Sequence, residues 1–291
     1  MSAIPPDLAE LRRRIDAIDD RMHDLLIERA AVVTRVAASK KNGDAAYYQP
    51  GREAQILRRL AARHRGALPF ATIARIWREL LAATVRLETP FAVAVFAPAE
   101  SPALWDTARD HYGSLAPITA CRSTGEVIDA VTENHVAAGI LPMLRESDPN
   151  PWWLDLASRG ENAPRVIARL PFGGSGEPRC GAAAALVIGR CAQQETGADR
   201  TFFLTETTAD IGRARLRESL SSAGLAWSFC ASREHAEGLL SLFEVDDLVP
   251  ISDPRIARFR AQVGTALRRL VPWGGYAVPL PAALLSGPAQ G

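Results

Sequence analysis

The first ninety residues carry the apolar spacing of a long helix. Positions 7–42 contain no glycine or proline, and apolar side chains recur there at alternating steps of three and four: Leu8, Leu11, Ile15, Ile18, Met22 and Leu25. This alternation is typical of a helical packing seam. About 35 residues at 1.5 Å each give a rod of roughly 50 Å. Such a rod is too long for a compact ninety-residue monomer, so it is expected to pair with a second chain.

Glycine and proline mark the predicted helix ends. Asn42-Gly43 is predicted to close the first helix. The second helix is predicted to start at Pro50 and to end near Gly66. The third is predicted to start near Pro69 and to run to about Glu88, where Pro90 stops it. The first domain, residues 1–90, is therefore predicted to be all-α, with three helices in an intertwined dimer.

The pattern changes after Pro90 to short apolar runs separated by helical stretches: 91–98, 118–122, 135–143, 165–172 and 182–189. This alternation favours an α/β domain with a mainly parallel sheet over residues 91–195. From about Arg200 the order becomes strand, helix 210–223, two strands, helix 253–270 and a final strand. That order is typical of an α+β ferredoxin-like unit, here residues 196–291.

Composition narrows the class of protein. The chain has 47% hydrophobic residues and a net charge of +1, which argues against nucleic acid as a main partner. We find no apolar leader and no membrane-length run, so a cytoplasmic, membrane-free protein is expected. The four cysteines have no CxxC pairing and no histidine at metal-ligand spacing, so we expect no metal.

The candidate chemistry lies in the charges of the helical segment. Of 34 basic residues only Lys40 and Lys41 are lysine. The two lysines indicate either a solvated helix end or a site whose chemistry requires a compact ammonium group. Arg29 and Lys40 are eleven residues apart, so they share one helix face with room for a small anion between them. Arg12 lies about 25 Å from Arg29 along the same rod and can reach that ligand only from an antiparallel partner chain.

Further charges fall on the other two helices. Arg52 and Glu53 occupy the first turn of the second helix, where backbone N–H groups add positive potential. Glu88 falls on the inward face of the third helix. Several cations with one or two carboxylates, and no nucleophile, suit a dianionic substrate whose reaction needs orientation and charge stabilisation.

Residues 5–90 resemble the all-helical class of chorismate mutase. The motifs LRRRID, LLIERAAVV, the lysine of AASKK, YYQPGRE and IWRELLAATVRLE stand in that family's order and at its spacings. The resemblance implies a homodimer with shared active sites that converts chorismate to prephenate without a cofactor. It implies three catalytic residues, Lys40, Glu88 and Arg29, and a substrate-binding set: Arg12, Arg29, Lys40, Gln49, Arg52, Glu53, Thr84 and Glu88.

The same resemblance implies a role for each group. Arg29 and Arg12 of the partner subunit would clamp the two carboxylates, and Lys40 with Glu88 would contact the ether oxygen. A glutamate must carry a proton to donate there, so activity is expected to fall as pH rises. Arg52 with Glu53 would hold the ring hydroxyl, beside Gln49, which stands where many family members carry an acid.

Residues 91–282 resemble the dehydratase and regulatory parts of bifunctional mutase–prephenate dehydratases. Gly139 and Pro142 match a dehydratase segment, but Leu144, Arg145 and Glu146 replace its Glu-Asn-Ser. Ala183, Ala184 and Ala185 stand in place of the catalytic Thr-Arg-Phe. Alanine cannot donate a proton or bind a carboxylate, so a truncated, degenerate dehydratase-like domain is expected.

The last segment resembles an ACT domain, an amino-acid-sensing module. Ser232 and Arg233 match part of its Glu-Ser-Arg-Pro motif, with Ala231 and Glu234 at the flanks. We expect a retained fold with lost or altered binding of an aromatic amino-acid effector. The alternatives are a non-catalytic regulator of aromatic amino-acid metabolism and a bifunctional enzyme that still dehydrates prephenate.

Overall fold

A computed structural model describes residues 7–39, 48–160, 163–173, 183–235 and 238–285. The chain begins with three helices, as predicted: α1 Leu8–Ser39, α2 Pro50–Arg63 and α3 Phe70–Glu88. Pro50 occupies the first turn of α2, where its missing N–H has no intrahelical partner to lose. The predicted helix end at Asn42-Gly43 lies outside the described residues.

The first helix projects from the rest of the chain. None of its residues is buried, and every residue from Asp7 to Glu28 is exposed. Partial burial begins at Arg29 and recurs at Ala30, Val33 and Ala37, the spacing of one helix face. Since α1 packs against α3, we infer that this face is the one turned to α3. The apolar seam lies nearer the N-terminal end of α1 and faces solvent.

The middle of the chain is an α/β part. Its strands are β1 Val93–Phe96, β2 Ile118–Cys121, β3 Ala138–Pro142, β4 Arg165–Leu170 and β5 Ala185–Gly189, and its helices are α4 Ala103–Tyr112, α5 Thr124–Thr132 and α6 Trp152–Ser158. The five strands lie close to the five predicted apolar runs.

The expectation of a mainly parallel sheet was wrong, because the sheet is mixed. Strand β1 pairs in parallel with β2 and β3, whereas β5 lies between β3 and β4 and runs antiparallel to both. No helix is described between β4 and β5. Antiparallel neighbours need no crossover helix, which explains why β5 can return directly beside β4.

The C-terminal part has the order strand, helix, strand, strand, helix, strand: β6 Asp199–Thr208, α7 Arg213–Ser222, β7 Trp227–His235, β8 Gly238–Asp246, α8 Pro254–Val263 and β9 Leu267–Ala277. A short final helix, α9, spans Ala282–Leu285. The expected helix 253–270 is too long, because α8 ends at Gly264, which has a φ of +64°. Residues 267–270 belong to β9 instead.

The nine strands of the described residues form one sheet, in the order β2-β1-β3-β5-β4-β9-β6-β8-β7. The middle and C-terminal parts join where β4 pairs in parallel with β9 at Val166 and Gly274. Gly274 has a φ of +96°, and a Cβ there would lie 2.1 Å from the Val166 carbonyl oxygen. Glycine is therefore required at this join. The predicted domain boundary near residue 195 separates strands that belong to one continuous sheet. The domain limits stay a prediction.

Candidate active site

The predicted cations of α1 lie in two different environments. Arg12 is exposed, on the stretch of α1 in which every residue is exposed, whereas Arg29 is partly buried. Their separation along one straight helix is roughly 25 Å, so a single chain does not bring them together. Lys40 lies outside the described residues.

Arg29 has an incomplete set of hydrogen bonds. Its Nη1 is shielded from solvent and has no hydrogen-bond partner among the described residues. Burial lowers the pKa of the Arg29 guanidinium, because desolvation disfavours the charged form. A buried N–H without an acceptor is costly unless a ligand supplies one. The environment of Arg29 therefore suits the binding of an anion.

The third helix holds Thr84 and Glu88 one turn apart. Thr84 is buried, and its hydroxyl donates to the carbonyl oxygens of Leu80 and Leu81 at 3.0 and 2.9 Å. Its oxygen remains able to accept a hydrogen bond. Glu88 is the last residue of α3 and is partly buried. Helices α1 and α3 contact each other. This helix pair carries two charged members of the predicted set, Arg29 on α1 and Glu88 on α3.

The first turn of α2 carries the other predicted contacts. Gln49 is the N-cap residue and is partly buried, and Arg52 is exposed and donates to Gln55 at 3.3 Å. Glu53 is buried, and Oε2 of its carboxylate accepts a 2.8 Å hydrogen bond from Arg78 of α3. Glu53 therefore pairs with Arg78, which is not among the predicted site residues.

Glu53 faces the α/β part of the chain. It lines a small internal space together with Arg78, His111 of α4, Arg169 of β4 and Phe172. Burial raises the pKa of the Glu53 carboxyl, and the nearby Arg78 offsets part of that rise. Burial and the Arg78 charge both hold the pKa of His111 well below its usual value, so this imidazole is neutral near pH 7. Its Nε2 has no hydrogen-bond partner among the described residues.

A sequence signal for Arg78 was present. The inward positions of α3 include Ala74, Leu81 and Val85, and Arg78 falls on the same spacing. A charge on an apolar helix face is a mark of a buried ion pair or a functional group. Its partner depends on how α2 packs against α3 and could not be read from spacing.

The residues that replace dehydratase motifs have ordinary structural surroundings. Ala185 begins β5 and is fully buried, and Ala184 is exposed. Ala183 accepts a 2.8 Å hydrogen bond from the Thr107 hydroxyl through its carbonyl oxygen. Glu146 forms an ion pair with Arg217 of α7 at 3.0 Å. Contacts of this kind connect the α/β part to the C-terminal part.

The pair that resembles the ACT motif also makes internal contacts. The Ser232 hydroxyl lies 2.7 Å from that of Ser241, and both are buried. The Arg233 guanidinium donates to the carbonyl oxygens of Glu146, Asp148 and Ser232. Both side chains therefore already have partners within the chain.

The described residues hold no cluster of three or more His, Cys, Asp or Glu side chains in reach of one metal ion. None of their helices combines the length and apolar character that crossing a membrane requires.

Comparison with known proteins gives the following relationships. Residues 11–89 match the family described as chorismate mutase type II. A bifunctional chorismate mutase/prephenate dehydratase of Stutzerimonas stutzeri is 33% identical over 141 residues, which is 47% of this chain and 38% of that protein. The chain thus spans well under half the length of this relative. The 141 aligned residues outnumber the 79 residues of the family match.

Two solved structures are similar at low identity. A structure described as GqqA, a novel type of quorum quenching acylase, has a TM-score of 0.48 at 12% identity, over 64% of this chain and 95% of that one. Prephenate dehydratase from Arthrobacter aurescens in complex with L-Phe has a TM-score of 0.47 at 13% identity, over 65% and 92%. At these scores neither likeness assigns a function to this chain. The resemblance of the N-terminal segment to the chorismate mutases is confirmed by the family match over residues 11–89.

Proposed function

We propose that the protein is a chorismate mutase that rearranges chorismate to prephenate. The observation that carries the proposal is the shielded, unpartnered Nη1 of Arg29, on a helix within the stretch that matches the type II family. An anionic carboxylate would complete the hydrogen bonding of this guanidinium. No cofactor or metal takes part in the proposed reaction.

Catalysis in this proposal is electrostatic. Negative charge develops on the ether oxygen as its C–O bond breaks ahead of C–C formation. Lys40 and a protonated Glu88 would stabilise that charge more in the transition state than in the ground state. Arg29 would hold one carboxylate and Arg12 of the partner subunit the other, which fixes the reactive conformation.

The first turn of α2 and the middle of α3 would complete the substrate contacts. Gln49 and Arg52 lie at the start of α2, and Thr84 keeps acceptor capacity on α3. Glu53 is already paired with Arg78, so a contact to the ring hydroxyl would have to be made by the carboxylate while it keeps that ion pair.

The site is proposed to be shared between two copies of the chain. The seam residues of α1 are large, apolar and exposed, with Ile15, Ile18, Met22 and Leu25 between 52% and 56% exposed. A contiguous apolar stripe of this length is a mark of a protein interface. An antiparallel copy of α1 would cover the stripe and carry Arg12 toward Arg29.

The remainder of the chain is proposed to be a non-dehydrating α/β part, roughly residues 91–195, and an ACT-like part, roughly 196–291. The strand order β9-β6-β8-β7, with α7 and α8 sharing one apolar cluster, supports a ferredoxin-like unit. The bifunctional alternative is not favoured, because Ala183 and Ala184 offer no catalytic side chain. A cytoplasmic location remains a prediction of the sequence.

The test is chorismate consumption by the purified full-length protein, followed by absorbance beside a Lys40→Ala variant. Lysine-dependent turnover is the expected result. A folded, dimeric protein without turnover would contradict the proposal and favour a non-catalytic binding protein. Phenylpyruvate formation from added prephenate would contradict the loss of dehydratase activity. Thermal shifts with phenylalanine, tyrosine and tryptophan test the effector, with stabilisation expected only where a site survives.

A further inference from the structure

Arg58 of α2 reaches out of the helical segment to the C-terminal part of the chain. Its Nη1 donates to the Thr196 carbonyl oxygen at 2.8 Å and also to the Thr196 hydroxyl. Its Nη2 donates to the carbonyl oxygens of Ala198 at 2.8 Å and Val278 at 2.7 Å. One guanidinium thus serves four acceptors that lie more than 130 residues away in sequence.

The contact involves three residues on one face of α2. Gly51, Gln55 and Arg58 stand at steps of four and three, which places them in one row along the helix. Gln55 Nε2 donates to the Glu195 carbonyl oxygen at 2.8 Å. A Cβ on Gly51 would lie 2.9 Å from the Gln194 Cβ, so the first turn of α2 approaches segment 194–198 closely. We call these three residues the docking row.

Segment 194–198 is itself held in shape. The Thr196 hydroxyl donates to Asp199 Oδ1 at 2.6 Å, and the Thr196 N–H donates to Asp199 Oδ2 at 2.8 Å. Asp199 is buried and begins β6. The partners of Arg58 are therefore fixed to the C-terminal sheet and do not belong to a loose linker.

A second contact connects the docking row to the ion pair of α3. The Phe172 ring lies 5.6 Å from the Cζ of Arg58 and 5.5 Å from the Cζ of Arg78. Arg78 in turn holds Glu53. The first turn of α2 is consequently held from two sides, by segment 194–198 and by α3.

That first turn carries Arg52 and Glu53 and follows Gln49, three of the proposed substrate contacts. We propose that Arg58 is a positioning residue of the mutase site, which sets the first turn of α2 by docking this helix on segment 194–198. The inference rests on the proposed function. Arg58 does not touch the substrate and acts through the residues of that turn.

The fold does not depend on this contact alone. Ala54 and Leu57 of α2 are buried in an apolar cluster with Phe70, Ala74 and Phe172. A variant without the guanidinium keeps this cluster, so α2 stays helical and attached to α3. Displacement of the first turn would move Gln49, Arg52 and Glu53 relative to the substrate groups that they are proposed to bind, which should weaken substrate binding.

The kinetic test compares Arg58→Ala with Arg59→Ala on the full-length dimer. Arg59 is the exposed neighbour on the same helix, with the same charge. We expect Arg58→Ala to raise KM for chorismate about tenfold with kcat within about twofold, because contacts made in ground and transition state alike are lost. Arg58→Lys should have a KM between those of the wild type and Arg58→Ala, since an ammonium reaches some of the same carbonyl oxygens. Equal kinetics for the two alanine variants would overturn the inference.

A change on the opposite side of the contact sharpens the test. Thr196→Val removes the hydroxyl that accepts from Arg58, together with its hydrogen bond to Asp199. The change lies outside the helical segment, and it should also raise KM. The effects of Arg58→Ala and Thr196→Val should be less than additive in the double variant, as for residues that act through one contact. Full additivity would contradict a common role.

Amide hydrogen exchange gives a readout that does not depend on turnover. Peptides covering residues 49–57 should exchange faster in Arg58→Ala than in Arg59→Ala, while those of α1 are unchanged. Unchanged exchange would overturn the inference whether or not the enzyme is active. A wild-type protein without turnover would instead contradict the mutase proposal. The exchange data would then test only whether Arg58 holds the first turn of α2 in place.

Discussion

The carboxylate of Glu53 and the guanidinium of Arg78 meet at 2.8 Å with side-chain exposures of only 11% and 6%. Each is the main compensation for burying the other. The pair connects α2 to α3 at the point where both helices meet the α/β part. It therefore ties α2 to α3 beside residues of the α/β part that line the same space.

Breaking this pair should be far more costly than breaking an exposed pair on the same helix. Arg78→Met leaves the Glu53 carboxylate buried without its ion-pair partner, which should reduce the free energy of unfolding by about 3–5 kcal/mol. Arg75 is one turn earlier, pairs with Asp110 at 3.3 Å and is 55% exposed. Arg75→Met should cost no more than about 1 kcal/mol. Urea denaturation measures both, and equal losses would contradict the importance of the buried pair.

Stability should depend on pH through His111. The unfolded chain binds a proton at this imidazole near pH 6.5, and the folded chain does not because its pKa is lowered. Falling pH therefore favours unfolding, with a limiting slope of about 1.4 kcal/mol per pH unit below that value. Burial and the Arg78 charge lower this pKa, and Glu53 and Arg169 line the same space.

Replacing His111 by Phe should remove this part of the pH dependence. The variant keeps an aromatic ring against Tyr112, whose ring centroid lies 4.7 Å from that of His111. The difference from wild type in urea denaturation between pH 7.5 and 5.5 isolates the histidine. His135→Phe, at an exposed position, serves as the control. A wild-type slope retained in His111→Phe would show that another group titrates.

Replacement of Arg29 should lower activity without lowering stability. Arg29→Met removes a buried N–H that lacks a partner, so thermal stability should stay the same or rise. The loss of a guanidinium that binds a substrate carboxylate should lower kcat/KM for chorismate by about 10²-fold. Arg35→Met, an exposed position on the same helix, should change neither quantity. A drop in melting temperature equal to that of a core mutation would assign Arg29 to structure.

The seam of α1 should control the oligomeric state. Ile18→Glu puts a charge into the seam and should give a monomer in light scattering after gel filtration. Ile27→Glu makes the same change nine residues later, on the opposite side of the helix, at a position 60% exposed. That variant should remain dimeric. Dimers of both proteins would exclude the seam as the interface.

The local parts of this structure were predictable from sequence, and the non-local parts were not. Pro50 and Pro69 set the starts of α2 and α3 because proline acts on its own backbone. The position of β5 between β3 and β4 depends on strand pairing across the sheet, which apolar runs do not encode. Glu53 was predicted to contact the substrate, but its partner Arg78 follows from how two helices pack. Arg58 had no sequence signal at all, since it is one of 32 arginines.

The join between β4 and β9 has a consequence for how this chain can be divided. Trp273 of β9 shares its apolar cluster with Ala94 of β1 and Trp152 of α6. A fragment that stops near residue 195 would lose part of its own interior and leave β4 with an open edge. Residues 91–285 should therefore melt as one cooperative unit, and excision of the last part should yield an aggregating fragment and not a smaller working enzyme.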